Sequence, residues 1–439
     1  MTDAMSRRIF LAKSCAAGAT AAAAAAAATT ANAQSPRHHQ QRKKLAIVTT
    51  VWRFGAHAQH MGDRFLVGYP QRGQWHEPGL EVVSLYVDQT PDDDQSRQRA
   101  EEFGFKIYPS IAAALRRGGD QLAVDAVLII GEHGDYPRNE LGQVLYPRYE
   151  LFRQVADVFR TEGRSTPVFN DKHLSWKWEW AKEMVDTSRE LGFPLLAGSS
   201  LPVTWRMPAV EMPLGAEPDE MMCVAFGGID SYDFHALEVI QCMAERRRGG
   251  ETGVAWVEAL RGEAVWRAAD AGSWQAGGWD PRLFEACLCR SQTLSSPRAG
   301  FGHRKPLRND LPRLAADPVA YRFEYADGAK ATMLLMNGLV RDFTFAARLR
   351  GDDQPLSALF YLPPNPNVAY SAELMSKVER MFLSGSAPWP VERTLLTSGV
   401  LAAAMKSLGS GQKRIETPHL AVRYQPPRAS QFAQAAEAG

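Results

Sequence analysis

The chain from residue 45 to about residue 204 alternates short apolar runs with amphipathic stretches. The apolar runs are predicted to be β-strands and lie at residues 45–48, 82–87, 124–130 and 167–169. Apolar residues at helical spacing predict helices between them, the clearest over residues 152–159 and another with its N-cap at Ser175. This alternation predicts an α/β fold with a Rossmann-like, doubly wound parallel sheet, whose ligands lie at the carboxyl ends of the strands.

After about residue 205 the pattern changes. A helix is predicted over residues 236–243, and three strands of period two follow later, joined through Asp327-Gly328 and Asn337-Gly338. Both dipeptides favour tight hairpins, so these strands are predicted to form an antiparallel meander within an α+β part with a largely antiparallel open sheet. Residues 270–315 are predicted to be irregular. Two closing helices are predicted at residues 372–382 and 393–408.

The first 33 residues have the features of a removable export signal. Residues 6–13, SRRIFLAK, resemble the signal read by the twin-arginine export machinery, and an alanine-rich run after them ends in the cleavage pattern Ala31-Asn32-Ala33. We therefore expect an exported, periplasmic protein in which residues 34–44 form a linker. No other stretch approaches about 18 apolar residues, so no membrane span is expected in the mature form.

Composition narrows the class of protein only slightly. With 45% hydrophobic residues, 23% charged residues and a formal net charge of +1, the chain is globular, and no nucleic acid partner is expected on electrostatic grounds. The four cysteines beyond the export signal are predicted to be buried thiols. His57 and His60 share a probable helix face, but the spacing of histidines and carboxylates matches no zinc signature, so no metal is predicted.

The layout and several local runs resemble the Gfo/Idh/MocA oxidoreductases, the family of glucose-fructose oxidoreductase and inositol dehydrogenase. The similarity covers roughly residues 45–415. It rests on residues 82–88, 104–108 and 124–130 and on the hairpin at 325–328. It also rests on Asn170-Asp171-Lys172-His173, where the family has Glu-Lys-Pro, and on residues 227–235, where the family has a D-x-x-x-H run. The resemblance implies a Rossmann-like NAD(P)-binding-type domain at 45–204, an α+β substrate and oligomerisation domain at 205–415, and a tail at 416–439.

The resemblance also implies an activity: hydride transfer between NAD or NADP and a small carbohydrate-like substrate, namely a sugar, cyclitol or related polyol. In that mechanism Lys172 touches nicotinamide and substrate and stabilises the oxygen of a hydroxyl that loses its proton. His235 would take the proton. The family aspartate is Ser231 here, and the flanking Asp230 and Asp233 either orient His235 or cap the helix. Family members associate through the exposed face of the second sheet, so a homo-oligomer is a possible state.

The chain departs from the family at the phosphate-binding loop. A dinucleotide site needs G-x-G-x-x-G after the first strand, because side chains would obstruct the turn and the pyrophosphate. The corresponding run, residues 49–55, contains a single glycine, Gly55. Either Thr49, Thr50 and Arg53 hold the phosphates with hydroxyls and charge, or the nucleotide site is degenerate.

Other candidates lie at neighbouring strand ends. Asp88 ends the second predicted strand and is placed either for a pair of ribose hydroxyls or for capping its own loop. Glu132 and His133 follow the strand that ends at Ile130 and are candidates for cofactor or substrate contact. His173 replaces the family proline after Lys172, which changes the backbone preferences at that turn.

Three functions therefore remain open. The first is an exported Gfo/Idh/MocA-like oxidoreductase that uses NAD(P). The second is a non-enzymatic, carbohydrate-binding relative that has lost the nucleotide site, and the third is a cofactor-independent hydrolase or lyase that uses Glu132, His133, Lys172 and His235. The missing glycines favour the second function, whereas Lys172, His235 and the export signal favour the first.

Overall fold

The computed structural model describes residues 42–298, 300, 304–363 and 369–434. The predicted export signal and most of the predicted linker lie outside these residues, as does the end of the predicted tail. The chain from Arg42 onward forms one compact unit. Its strands are β1 Lys43–Thr49, β2 Tyr69–Gln71, β3 Gln74–His76, β4 Leu80–Val87, β5 Lys106–Ile107, β6 Ala126–Ile130, β7 Val168–Asp171, β8 Leu195–Gly198, β9 Arg206–Met207, β10 Pro218–Ala225, β11 Val254–Arg261, β12 Val319–Tyr325, β13 Lys330–Leu335, β14 Phe343–Leu349, β15 Leu356–Phe360 and β16 Ile415–Glu416.

Eleven α-helices are found in the described part of the chain. They are α1 Asp63–Val67, α2 Ser96–Phe103, α3 Ile111–Arg116, α4 Arg148–Glu162, α5 Trp178–Glu190, α6 Tyr232–Ala244, α7 Glu263–Ala271, α8 Pro281–Arg290, α9 Leu311–Leu314, α10 Ala369–Ser384 and α11 Glu392–Gly409. A π-helical turn, Ala58–Gly62, leads directly into α1. None of the helices in the described residues is long and apolar enough to cross a membrane.

The first sheet has six parallel strands in the order β5-β4-β1-β6-β7-β8. The order reverses at β1, which is the doubly wound arrangement that the sequence predicts. Helices α3, α4 and α5 pack on one face, and the π-helical turn, α1 and α10 pack on the other. Both faces of the strands are therefore buried, which explains why β6 is an unbroken apolar run. Helix α4 confirms the helix predicted over residues 152–159, but α5 begins at Trp178 instead of following Ser175.

The second sheet has eight strands in the order β16-β11-β12-β13-β10-β14-β15-β9. The hairpin at Asp327-Gly328 is confirmed because β12 and β13 pair antiparallel. The predicted meander is wrong at its second turn, because β10 lies between β13 and β14 and pairs with β13 in parallel. Asn337 instead bonds the backbone of Gly227, with its amide donating to the carbonyl at 2.9 Å and its carbonyl accepting at 2.7 Å. Strand β10 is buried along nearly its whole length, so its apolar side chains favour the centre of the sheet.

Helices cover both faces of the second sheet. Helices α6 and α11 pack on one face, and α7, α8 and α9 pack on the other. The prediction that residues 270–315 are irregular is wrong for α8, whose N-cap Asp280 accepts a hydrogen bond from the backbone of Arg282. Three of the predicted buried thiols, Cys223, Cys242 and Cys287, are buried, but Cys289 is exposed.

Candidate functional site at the carboxyl edge of the parallel sheet

The candidate residues converge on one edge of the first sheet. Strands β1, β4, β6 and β7 run parallel, so the segments after them meet at their common carboxyl edge. Those segments carry the predicted residues Thr50, Asp88, Glu132, His133 and Lys172. The beginning of α6 adds Asp230, Asp233 and His235 from the second half of the chain, and the π-helical turn adds a histidine to the same place.

Three side chains form a continuous hydrogen-bonded row in this edge. Nδ1 of His57 lies 2.6 Å from Oδ2 of Asp171, and Nε2 of the same ring lies 3.1 Å from Nζ of Lys172. The Asp171 side chain is 1% exposed and the His57 side chain 16% exposed. His133 flanks the row, with its ring centroid 5.1 Å from that of His57. The sequence indicates Lys172 as a site residue, whereas it places His57 only on a helix face and Asp171 only in a motif.

A second buried group is ionic. Arg148 pairs with Glu132, and its Nη1 lies 3.1 Å from Nε2 of His173. Burial acts to raise the pKa of Glu132, but the positive charges of Arg148 and Lys172 hold that pKa well below its usual range. Burial and the charge of Arg148 lower the pKa of His173, so its ring is neutral. No sequence pattern indicated Arg148, which is the first residue of α4 and lies before the helix predicted over residues 152–159.

His235 lies within electrostatic reach of the row. Its Nδ1 is 2.6 Å from Oγ of Ser199. Burial lowers the pKa of His235 well below its ordinary value, and the charge of Lys172 lowers it further. Ser199, which no sequence pattern indicated, is therefore the side chain that orients His235 among the described residues.

The two aspartates predicted to orient His235 have different surroundings. The Asp233 carboxylate accepts hydrogen bonds from the backbone N–H groups of Asp230, Ser231 and Phe234 at 2.8–2.9 Å, and from the Tyr321 hydroxyl at 2.8 Å. This is the capping role that the sequence left open as an alternative. Asp230 accepts a 2.9 Å hydrogen bond from the side chain of Gln143. Burial raises the pKa of Asp230 to about 7, so its carboxyl can exchange a proton near neutral pH.

The backbone at this edge is held in unusual conformations. Six non-glycine residues of the described chain have φ in the left-handed region, and three of them are His133 at +69°, Lys172 at +66° and Asp230 at +60°. Side chains disfavour this region by roughly 1 kcal/mol or more. Strained residues cluster at functional sites when the surrounding structure holds them in place. The concentration of strain at this edge is an independent indication that it is a functional site.

The loop after β1 does not form a phosphate cradle. The hydroxyls of Thr49 and Thr50 donate to the carbonyls of Ile130 at 3.0 Å and Glu132 at 2.7 Å. The N–H of Gly55 donates to the Gln59 side chain at 2.9 Å, so it is already bonded within the loop. The residue at the second glycine position of the fingerprint is Trp52, a fully buried ring that packs on Phe105. Arg53 pairs with Asp93 at 3.7 Å.

The chain's own loop after β6 crosses the crevice in which doubly wound folds bind dinucleotides. The Gln89 side chain makes two 2.9 Å hydrogen bonds with the backbone of Asp135, one as donor and one as acceptor. The Tyr136 hydroxyl donates to Asp88 at 2.7 Å, and the Tyr86 hydroxyl donates to the other oxygen of that carboxylate at 2.9 Å. The loop thus spans from the end of β6 to the end of β4, over the end of β1. The residues of this crevice do not fit a dinucleotide while the loop is in this position.

The histidines and carboxylates of the edge do not form a metal centre. Within the described ranges, no group of three or more histidine, cysteine, aspartate or glutamate side chains is arranged to hold a metal ion. His57 uses both ring nitrogens in the row with Asp171 and Lys172, and Nδ1 of His133 accepts a 3.4 Å hydrogen bond from the backbone N–H of His57. The arrangement is suited to proton transfer between neighbouring polar groups.

Comparison with known proteins relates the chain to dehydrogenases by fold. No protein-family model matches the chain, and no curated protein matches it. The crystal structure of myo-inositol dehydrogenase from Lactobacillus casei in complex with NAD(H) and myo-inositol is 13% identical, with 85% of this chain and 96% of that chain covered and a TM-score of 0.51. Apo scyllo-inositol dehydrogenase from Lactobacillus casei is 10% identical, with 86% and 98% covered and a TM-score of 0.51. A probable dehydrogenase from Thermotoga maritima is 14% identical, with 86% and 99% covered and a TM-score of 0.50. At these identities the likeness establishes the fold, a Rossmann-like parallel sheet followed by a mostly antiparallel one.

Proposed function

We propose that this chain is an enzyme that transfers a proton from a hydroxyl of a sugar, cyclitol or related polyol at the carboxyl edge of the parallel sheet. The observation that carries the proposal is the row Asp171, His57 and Lys172, in which a lysine that is 5% exposed is hydrogen-bonded to a histidine at 3.1 Å. The substrate class is taken from the fold, because the Lactobacillus casei neighbour was crystallised with myo-inositol. The domain boundaries at residues 204 and 415 are part of the same proposal.

The roles of the side chains follow from charge and position. The ammonium of Lys172 stabilises negative charge that develops on the substrate oxygen, and burial strengthens that interaction. His235, held by Ser199, faces the same hydroxyl as a hydrogen-bonding partner. Asp230 exchanges a proton near neutral pH, which suits a general acid or base for a second position of the substrate.

The first candidate reaction is that of a Gfo/Idh/MocA-like oxidoreductase, exported to the periplasm and dependent on NAD or NADP. Its support is the fold, which is shared with an inositol dehydrogenase crystallised with NAD(H), together with Lys172 and His235 at the motif positions of the family. This candidate requires that the loop over Asp88 and Gln89 moves aside when a nucleotide binds. Three of the proposed cofactor contacts would have to give up hydrogen bonds within the chain: Thr49, Thr50 and Gly55. The other proposed contacts under this candidate are Arg53, Asp88, Glu132, His133 and Lys172.

The second candidate is a cofactor-independent lyase or hydrolase for the same class of substrate. The observation that favours it is the crevice filled by the chain's own loop, with hydrogen bonds from Tyr136 to Asp88 and between Gln89 and Asp135. The proton-transferring groups are complete without any nucleotide. The third possibility, a protein that binds carbohydrate without turnover, would not require the hydrogen-bonded row of Asp171, His57 and Lys172.

A nucleotide titration separates the two candidates. Purified chain is melted with NAD, NADP and no nucleotide, and denatured protein is examined by mass spectrometry for a released nucleotide. A ligand present at 100 times its dissociation constant adds about 2.7 kcal/mol to the free energy of unfolding, which a melting experiment detects. The variant Tyr136→Phe with Gln89→Ala removes the contacts of the loop and should increase nucleotide binding if the loop competes with it.

Turnover tests the proposal as a whole. The chain is screened against polyols, myo-inositol first, with and without NAD(P). Lys172→Ala should abolish any turnover, whereas Lys182→Ala, at an exposed helix position, should leave it unchanged. Turnover with nucleotide supports the oxidoreductase, and turnover without nucleotide supports the lyase or hydrolase. Turnover that survives in Lys172→Ala, or ligand binding with no turnover at all, would contradict the proposal.

A further inference from the structure

With Lys172 as an ammonium, the row Asp171, His57 and Lys172 has one consistent arrangement of protons at rest. A lysine ammonium has donors and no acceptor, so its hydrogen bond to Nε2 of His57 requires a lone pair on that nitrogen. The other ring nitrogen, Nδ1, therefore carries the proton of the neutral imidazole and donates it to Asp171 at 2.6 Å. The row is thus poised with a carboxylate at one end, a neutral ring in the middle and an ammonium at the open end.

An ammonium cannot by itself take a proton from a substrate hydroxyl. We infer that His57, held by Asp171, is the base that receives the substrate proton, and that Lys172 passes the proton to it. This inference rests on the proposed function, because it assigns the destination of the proton in that reaction. It gives His57 a positioning and proton-storing role behind Lys172, comparable to the part of histidine in an Asp-His-Ser triad.

The proton balance of the step is simple. One N–H bond of the Lys172 ammonium breaks, and its proton forms the Nε2–H bond of His57. The O–H bond of the substrate breaks, and its proton forms a new N–H bond at Lys172. Lys172 is a cation before and after the step, His57 changes from neutral to imidazolium, and the substrate oxygen becomes an oxyanion beside the ammonium. The reverse transfer returns the proton.

The groups that contact His57 are a carboxylate, two histidine rings and the Lys172 ammonium. Asp171 lies against it from the end of β7, and burial, outweighed by the hydrogen bond of His57 and the charge of Lys172, leaves the pKa of Asp171 below its ordinary value. His133 lies against it from the loop after β6, and His60 from its own helical turn. Burial lowers the pKa of both flanking histidines to about 4, so they are neutral at pH 7. The only cation that touches His57 in the described structure is Lys172, and the buried Glu132 adds a further negative charge nearby.

His235 is less suited to store the proton. Its Nδ1 is engaged by the Ser199 hydroxyl, and no carboxylate is hydrogen-bonded to its ring among the described residues. Burial and the positive charge of Lys172 both disfavour an imidazolium at that position. His57 has the opposite environment, since a buried carboxylate is directly bonded to it.

Histidine NMR tests the resting arrangement without any substrate. Full-length chain labelled with nitrogen-15 in its histidine rings is compared with His57→Gln, which removes one ring and so assigns its signals. At pH 7 the His57 ring should be neutral with Nδ1 protonated and Nε2 bare, and Asp171→Asn should raise the share of the Nε2–H form. A ring that is protonated at Nε2 in the wild-type protein, or one whose tautomer Asp171→Asn leaves unchanged, overturns the inference whatever the enzyme's reaction is.

Kinetics test the proton's destination with any polyol that is turned over, myo-inositol first. The amide of glutamine can donate to Asp171 and accept from Lys172, so His57→Gln keeps both hydrogen bonds but cannot store a proton. We expect kcat to fall by about 10²-fold or more with KM within about twofold, the basic group to disappear from the pH profile of kcat/KM, and added imidazole to restore part of the rate. His419→Gln, whose ring contacts Trp178 and none of the residues of the row, is the matched control.

Two results separate the inference from the proposed function. If His57→Gln keeps more than about a third of kcat with an unchanged pH profile, the histidine is structural and the inference fails while the proposed function stands. If no polyol is turned over by the wild-type protein, the proposed function fails, and the NMR experiment still decides whether the row has the inferred protonation.

Discussion

The buried pair of Glu132 and Arg148, which lies beside the candidate site, should contribute strongly to the free energy of unfolding. Their side chains are 10% and 1% exposed, so each charge depends on the other for its solvation. In Glu132→Gln the guanidinium keeps only neutral partners, which are the new amide oxygen, the His173 ring and the Tyr146 ring. Removing one partner of a buried pair typically costs about 3–5 kcal/mol, because it leaves an uncompensated buried charge. We expect Glu132→Gln to lower the free energy of unfolding at pH 7 by that amount.

Urea denaturation followed by tryptophan fluorescence measures this loss. The double variant Glu132→Leu with Arg148→Met removes both charges together, so it should recover at least half of the loss, since two apolar side chains need no compensation. Asp186→Ala is the matched control for an exposed pair, because Lys182 and Asp186 are 54% and 46% exposed, and it should cost no more than about 0.5 kcal/mol.

The pH dependence of the loss gives a second check with a defined sign. The pKa of Glu132 is lower in the folded protein than its ordinary value of 4.5, so folding favours the ionised carboxylate. The stability that the pair provides is therefore present above that value and is lost as the pH falls. The difference between wild-type and Glu132→Gln protein should shrink in acid. A loss below about 1 kcal/mol at pH 7, similar to that of the exposed pair, would show that the charges are not desolvated and would refute the reasoning.

Two further predictions concern neighbouring residues of the edge. The pKa of Asp230 is raised from 3.8 to about 7, so the stability that its protonated form provides is complete below about pH 4 and is lost as the pH rises through 7. The free energy of unfolding of Asp230→Asn, relative to that of the wild type, should therefore increase by up to about 4 kcal/mol between pH 4 and 8. Equal pH profiles of the two proteins in urea denaturation would contradict this. A Cβ at Gly131 would lie 2.7 Å from Cγ and 3.3 Å from Cα of Arg148, so Gly131→Ala should lower the free energy of unfolding by about 1–3 kcal/mol. Gly163→Ala is the control, because nothing lies near its Cβ and only its positive φ is tested. An unchanged melting temperature in Gly131→Ala would mean that α4 can shift.

The sequence predicted the fold well where the periodicity is local and long. The four predicted strands of the first sheet and helix α4 repeat their pattern over enough residues to outweigh other conformations. It failed where the outcome depends on distant partners. Strand β10 enters between β13 and β14 from more than 100 residues earlier in the chain, and no local turn signal at Asn337-Gly338 can reveal that. The start of α8 at Asp280-Pro281 was a readable signal, since proline favours the first turn of a helix and aspartate its cap.

The candidate site likewise contains residues that the sequence indicated and residues that only the structure revealed. The ends of β4, β6 and β7 placed Asp88, Glu132 and Lys172 at one edge as soon as the strands were assigned, because parallel strands align their carboxyl ends. Asp171, Arg148 and Ser199 carry no pattern of their own, and their roles arise only from contacts with residues 16 to 114 positions away.

By itself, the sequence determined a doubly wound sheet, the edge at which a ligand would meet it, and the lysine that reaches that edge, because hydrophobic period and strand direction are local properties. Tertiary structure alone decided that His57 stands between Asp171 and Lys172, that Asp233 caps α6 while Ser199 holds His235, and that the loop after β6 lies across the dinucleotide crevice. Side-chain direction and burial set those contacts. Both depend on how separate elements pack, which no short stretch of sequence encodes.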